Sequence, residues 1–142
     1  EGYYNSGLLL LVGQDSDIKG IEGLGPKLVA TKQGTTSEKY LKEKAQYKKL
    51  KLFPNDNAMF MELLTGGVDA VMFDKPVIEN FVGQRGKGKV KVVGPLYEGQ
   101  PYGIGFPKGS ELVAKVNAAL KTLKEDGTYN TIYKKWFGVA PE

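Results

Sequence analysis

Two short stretches hold the side chains best suited to meet a small polar molecule: Lys32-Gln33-Gly34-Thr35-Thr36-Ser37 and Phe73-Asp74. The first follows the apolar run Leu28-Val29-Ala30 and opens a helix, so backbone N–H groups without intrahelical partners meet two hydroxyls at one point. The second sets a lone carboxylate just past the apolar run over 68–73. An anion cradle beside a carboxylate suits a zwitterion such as an α-amino acid. Spacing alone also fits plainer roles, with Asp74 capping a helix that begins at Pro76 and Thr35-Thr36-Ser37 capping their own helix. The chemistry therefore depends on elements that bring the two stretches together.

Those elements read as an alternation. Strands are expected over 7–12, 27–32, 50–53, 68–73, 90–93 and 103–106. Asp17 suits the cap of a short helix over 18–24, stopped by Gly25-Pro26. A helix runs from Ser37 to about Lys44, and another from a cap at Asn55 or Asp56 through Leu64, where Gly66-Gly67 ends it. Pro76 starts a helix reaching about Gln84. Strand–helix alternation predicts an α/β fold with a mainly parallel sheet, whose ligands gather at the carboxyl ends of strands. Both stretches fall at such ends.

The last part of the chain differs. An amphipathic helix over 110–125 places Leu112, Val113, Val116, Ala119, Leu120 and Leu123 on one face, and Gly127 ends it. A second helix over Thr128–Phe137 carries Tyr129, Ile132, Tyr133, Trp136 and Phe137. These aromatics suit packing better than a ligand box, and the helices are expected to need a partner surface.

Composition narrows the function. Hydrophobic residues make up 41% and charged residues 25% of 142 residues, which is enough for a packed core in one domain. The chain has no cysteine and no histidine. Disulfides, thiolate or imidazole metal sites, and Ser-His-Asp or Cys-His catalysis are thereby excluded. The net charge of +4 comes with loose lysine clusters, Lys48-Lys49-Lys51 and Lys87-Lys89-Lys91, that read as solvated faces and not as a nucleic-acid surface. No apolar run is long enough to span a bilayer. Gly83-Gln84-Arg85-Gly86-Lys87-Gly88-Lys89 has phosphate-loop spacing, but Val90 stands where a hydroxyl belongs and a strand follows, so it reads as an exposed turn.

Five stretches in order resemble the extracytoplasmic amino-acid-binding proteins of ABC importers (solute-binding protein family 3), most closely their glutamine-binding members. They are Gly2-Tyr3-Tyr4-Asn5-Ser6-Gly7, Lys27 through Thr35, Asp69-Ala70-Val71-Met72-Phe73-Asp74, Gln100 through Ser110, and Asp126-Gly127-Thr128-Tyr129 with Ile132 through Gly138. The resemblance implies a periplasmic-binding-protein-like lobe within a two-lobed, hinge-closing protein. By it, residues 1–12 are the first hinge crossing and strand, 13–99 the second ligand-binding lobe, 100–106 the return hinge, and 107–142 helices that would pack on a first lobe whose body this chain does not hold. Tyr3, Tyr4, Gln100, Pro101 and Tyr102 would be hinge residues.

Carried over position by position, the resemblance gives Asp74 the ligand's α-ammonium and gives Thr35, Thr36 and nearby N–H groups its carboxylate. Lys32 would reach the ligand side chain, where an amide oxygen suits it. The glutamine-specific members often have a small residue at the position of Thr36 and a polar one at that of Phe73, which here would offer an apolar or stacking face. The implied function is binding of a polar L-amino acid, glutamine foremost, and delivery to a membrane permease, outside the cytoplasm and without metal or cofactor. A cyclohexadienyl-dehydratase-like enzyme and a sensor or ligand-gated receptor lobe are the alternatives on the same fold. The chain alone is expected to bind amino acids weakly or not at all and to self-associate through Ile132, Tyr133 and Trp136.

Overall fold

The computed structural model describes residues 2–141. Glu1 and Glu142, the outer ends of the expected segments 1–12 and 107–142, lie outside the described residues. The chain forms two compact units, one of residues 7–99 and one of 2–6 with 100–141. The divisions fall inside two strands, between Ser6 and Gly7 and between Gly99 and Gln100.

In chain order the strands are β1 (Tyr4–Gly13), β2 (Leu28–Lys32), β3 (Lys49–Phe53), β4 (Ala70–Asp74) and β5 (Val90–Tyr102). The helices are α1 (Thr36–Lys44), α2 (Asp56–Leu64), α3 (Lys75–Gly83), α4 (Leu112–Glu125) and α5 (Thr128–Phe137), and a 3-10 turn spans Ile21–Leu24. The sheet runs β3-β2-β4-β1-β5. It is mixed: β2 is parallel to β3 and to β4, whereas β1 is antiparallel to β4 with Leu8 opposite Asp74 and Val12 opposite Ala70.

Burial on both faces of this sheet explains why β1 reads as a continuous apolar run instead of an alternating one. Leu9 and Leu11 join Ala30, Val71 and Phe73 under Met59, Phe60 and Leu63 of α2 and Ile78 and Phe81 of α3. Leu8, Leu10 and Val12 face the other way, with Val29, Ala70, Met72, Leu41 of α1 and Leu24. The period-two alternation thus sorts one run into two cores.

The expected strand over 103–106 is absent. Gly103, Ile104 and Gly105 are exposed, and no described strand lies beside them to complete a ladder. β5 instead extends to Tyr102, well beyond the expected stop at Val93. Two residues inside it, Gly94 (φ 74°) and Glu98 (φ 47°), are left-handed. A Cβ at Gly94 would also crowd the Tyr97 hydroxyl. The expected helix over 18–24 shortens to the 3-10 turn with Gly20, not Asp17, at its cap. Tyr97 fixes that turn by accepting a 3.3 Å hydrogen bond from Ile21 N.

In the smaller unit Tyr4 is the hub. Its ring lies 5.6 Å from Tyr102, 5.8 Å from Tyr133 and 5.7 Å from Phe137, centroid to centroid. Tyr129 Oη donates to Tyr3 O at 2.8 Å. Tyr133 is therefore buried and does not belong to an exposed face, a correction to the expected Ile132–Tyr133–Trp136 surface. Ile132 and Trp136 remain 50% and 56% exposed, and no residue of α4 is buried.

Candidate functional site

Parallel pairing of β3, β2 and β4 sends their carboxyl ends to one edge of the larger unit. Val29 pairs with Ala70 and Ala30 with Val71, so continuing the register sets Lys32 beside Phe73 and leaves Asp74 one residue further along the neighbouring strand. Adjacent strands lie about 4.8 Å apart. The sheet thus brings the two sequence stretches together, and β3 adds the start of α2 to the same edge.

The cradle is built by its own side chains. Gly34 is left-handed at φ 74°, turning the chain out of β2 so that Thr35 can cap α1. Thr35 Oγ1 accepts from Glu38 N at 3.4 Å and donates to Lys32 O at 2.7 Å. Glu38 reaches back to Gly34 N at 2.6 Å, one residue before the usual capping-box position. Its carboxyl sits below the ordinary glutamate range, first because Lys42 hydrogen-bonds to it and second because of the Gly34 N–H. Thr35 therefore spends its hydroxyl on the turn. The first-turn N–H groups of Thr36 and Ser37, which have no intrahelical acceptor, are the donors left for an anion. Thr36 is exposed and Thr35 half-buried.

A buried chain of hydroxyls, missed in the sequence, locks this helix start to the sheet. Thr31 Oγ1 donates to Met72 O at 2.8 Å and lies 2.6 Å from Ser37 Oγ, which in turn lies 2.8 Å from Thr35 Oγ1. Thr31 and Ser37 are both fully buried. A buried hydroxyl in a strand, six residues before a Ser at the second helical position, was the available signal.

Asp74 occupies the cap position of α3 but makes no capping hydrogen bond with its side chain, and it is half-buried. The plainer cap role is thus not the one it fills. The other acid of the motif, Asp69, is structural: it accepts from Leu28 N at 2.7 Å and donates its own N–H to Leu28 O at 2.8 Å, joining the starts of β2 and β4. Phe73 is only 4% exposed and packs into the core, with the Lys32 ammonium 5.9 Å from its ring centroid. It supports Lys32 from below and offers little open face. Lys32 also pairs with Asp56 of α2 at 3.1 Å.

Tyr3, Tyr4, Gln100, Pro101 and Tyr102 all fall in the smaller unit, where Tyr3 N donates to Tyr102 O at 2.9 Å. The glycine-rich stretch over 84–89 is a turn leading into β5, as its sequence implied. Among the described residues no cluster of acidic side chains could hold a metal ion. No described helix is long and apolar enough to cross a membrane.

Residues 1–139 match the profile of the bacterial extracellular solute-binding proteins, family 3. The chain belongs to that family. It is 36% identical to the ABC transporter glutamine-binding protein GlnH of Bacillus subtilis, over 98% of this chain and 51% of the relative. It is 34% identical to an arginine-binding periplasmic protein of Mannheimia haemolytica, over 97% of this chain and 58% of the relative. Among solved structures, an ancestral arginine-binding protein bound to glutamine superposes with a TM-score of 0.75 at 42% identity, covering 98% of this chain and 63% of that one. The chain spans about half the length of the curated relatives it matches. Membership accounts for the α/β lobe and its mixed sheet.

Proposed function

We propose that residues 13–99 form one jaw of an amino-acid site, with glutamine the preferred ligand, in a protein that hands its cargo to an ABC importer permease outside the cytoplasm. The observation that carries this reading is the meeting of the α1 start and Asp74 at the carboxyl edge of two adjacent parallel strands. The α1 N–H groups would take the α-carboxylate and Asp74 the α-ammonium. Lys32 favours a side chain with an oxygen acceptor and opposes a guanidinium by like charge, which supports glutamine over the arginine that some relatives bind. The relatives' glutamine and arginine names support an amino-acid ligand in general.

Residues 1–12 and 100–106 would act as the hinge crossings, and closure would be driven by contacts a ligand makes only in the closed state. No catalytic role is assigned to any residue. The helices over 107–142 would pack on the body of a first lobe, and in the chain by itself Ile132 and Trp136 would favour self-association.

Titrating the chain with glutamine and following backbone amide shifts tests the site. Shifts at Gly34–Ser37 and Asp74 with millimolar affinity are expected, and Asp74→Asn should weaken binding about 10- to 100-fold, the range of one charge-assisted hydrogen bond. Shifts confined to other surfaces would refute the assignment.

A further inference from the structure

Lys32 is not a solitary cation at its strand end. Its ammonium stands 3.1 Å from Oδ1 of Asp56, the first residue of α2. Capping of α2 falls to Asn55, whose side chain accepts from Ala58 N at 2.9 Å, so Asp56 has no capping duty. Asp56 Oδ1, the oxygen nearest the Lys32 ammonium, is itself buried and has no hydrogen-bond partner. The two side chains still keep 37% and 36% of their surface exposed, so the pair can be reached from outside. The Lys32 ammonium and the part of the Asp56 side chain other than the buried Oδ1 thus stand exposed together, at the edge where the ligand's side chain would lie.

Resting on the amino-acid reading of this edge, we infer that Asp56 is a specificity-determining residue that, together with Lys32, selects a ligand carrying a neutral carboxamide. A carboxamide has one acceptor and two donors. Its oxygen accepts from the Lys32 ammonium while its N–H2 donates to Asp56, so both charges gain a partner. A side-chain carboxylate offers no donor and faces the Asp56 charge. A guanidinium offers no acceptor and faces the Lys32 charge. Each wrong ligand satisfies half of the pair and is opposed by the other half, which is how a polar site discriminates between ligands of similar size.

The isotope-labelled 142-residue chain, titrated in turn with glutamine, glutamate and arginine, reads this out through the Gly34–Ser37, Asp56 and Asp74 amides. Wild type should prefer glutamine over glutamate and over arginine by about tenfold, the value of one hydrogen bond to a charged group at a half-exposed site. Asp56→Ala and Asp56→Asn should bring glutamate to within about twofold of glutamine, because Lys32 then meets the carboxylate unopposed. Both variants leave the Asn55 cap in place, and an unchanged α2 amide pattern checks that the lobe is intact. If the variants keep the wild-type ranking, or wild type prefers glutamate or arginine, the selector role is overturned while the site stands. If no amino acid shifts these amides in any form of the chain, the amino-acid site itself is overturned and the selector with it.

Discussion

Replacing Ser37 by alanine should destabilise the larger unit by about 1 kcal/mol, the net value of one hydrogen bond and not of two. The reason is a proton count. Three hydroxyls, on Thr31, Ser37 and Thr35, make four close oxygen contacts: 2.8 Å to Met72 O, 2.6 and 2.8 Å to Ser37, and 2.7 Å to Lys32 O. The carbonyls cannot donate, so they take the threonine protons. Ser37 has one proton to give and can bond to only one threonine at a time. Alanine removes that single bond and leaves both carbonyls with their donors, so no buried group is orphaned. The small void at a fully buried site adds a few tenths of a kcal/mol. A chain of two compact units need not unfold in one transition, so a global melt is the wrong assay. Hydrogen exchange at the Ala30 and Val71 amides reads this sheet directly, and each kcal/mol speeds it about fivefold. Thr31→Val in the same background locates the proton: coupling of about 1 kcal/mol places it on Thr31, and additivity places it on Thr35. A loss of 3 kcal/mol or more for Ser37→Ala would refute the proton count.

The remaining predictions concern separate parts of the molecule. Glu38 has a depressed pKa in the folded state, so its contribution is complete above the ordinary glutamate value of 4.5 and is lost as pH falls through the lower folded value. Amide shifts of α1 should therefore reveal loosening on acidification below that value, and Glu38→Gln should flatten the response. Phe60 stacks on Phe81 with centroids 4.0 Å apart beneath the sheet, so Phe60→Ala should cost about 3–5 kcal/mol by denaturant unfolding of the larger unit. Sedimentation of the chain should depend on concentration through the exposed Ile132 and Trp136, and Trp136→Glu should remove that dependence.

Much of the fold was legible because it is local. Apolar period, caps and stops marked α1, α2 and α5 to within a residue, since Thr35, Asn55 and Gly127 act on their own helices. β5 was not legible past Val93, because its continuation depends on a neighbouring strand and on left-handed backbone at Gly94 and Glu98 that no local pattern announces. Tyr133 looked equivalent to Ile132 and Trp136 by helical spacing; only packing against Tyr4 separates them.

The candidate site divides along the same line. Residue types and their order along the chain determined that a helix start and a carboxylate follow two apolar strands, and the absence of histidine and cysteine removed most catalytic chemistry. Whether those two points meet depends on the neighbouring parallel placement of β2 and β4, which arises from long-range pairing that no local pattern encodes. Tertiary structure also decided that Thr35 serves its own turn, that Phe73 lies under Lys32, and that Asp56 stands beside the ammonium. Asp56 and Lys32 are separated by a helix and a strand in the sequence. Only the parallel sheet, by gathering its carboxyl ends on one edge, makes Lys32 and Asp56 a pair.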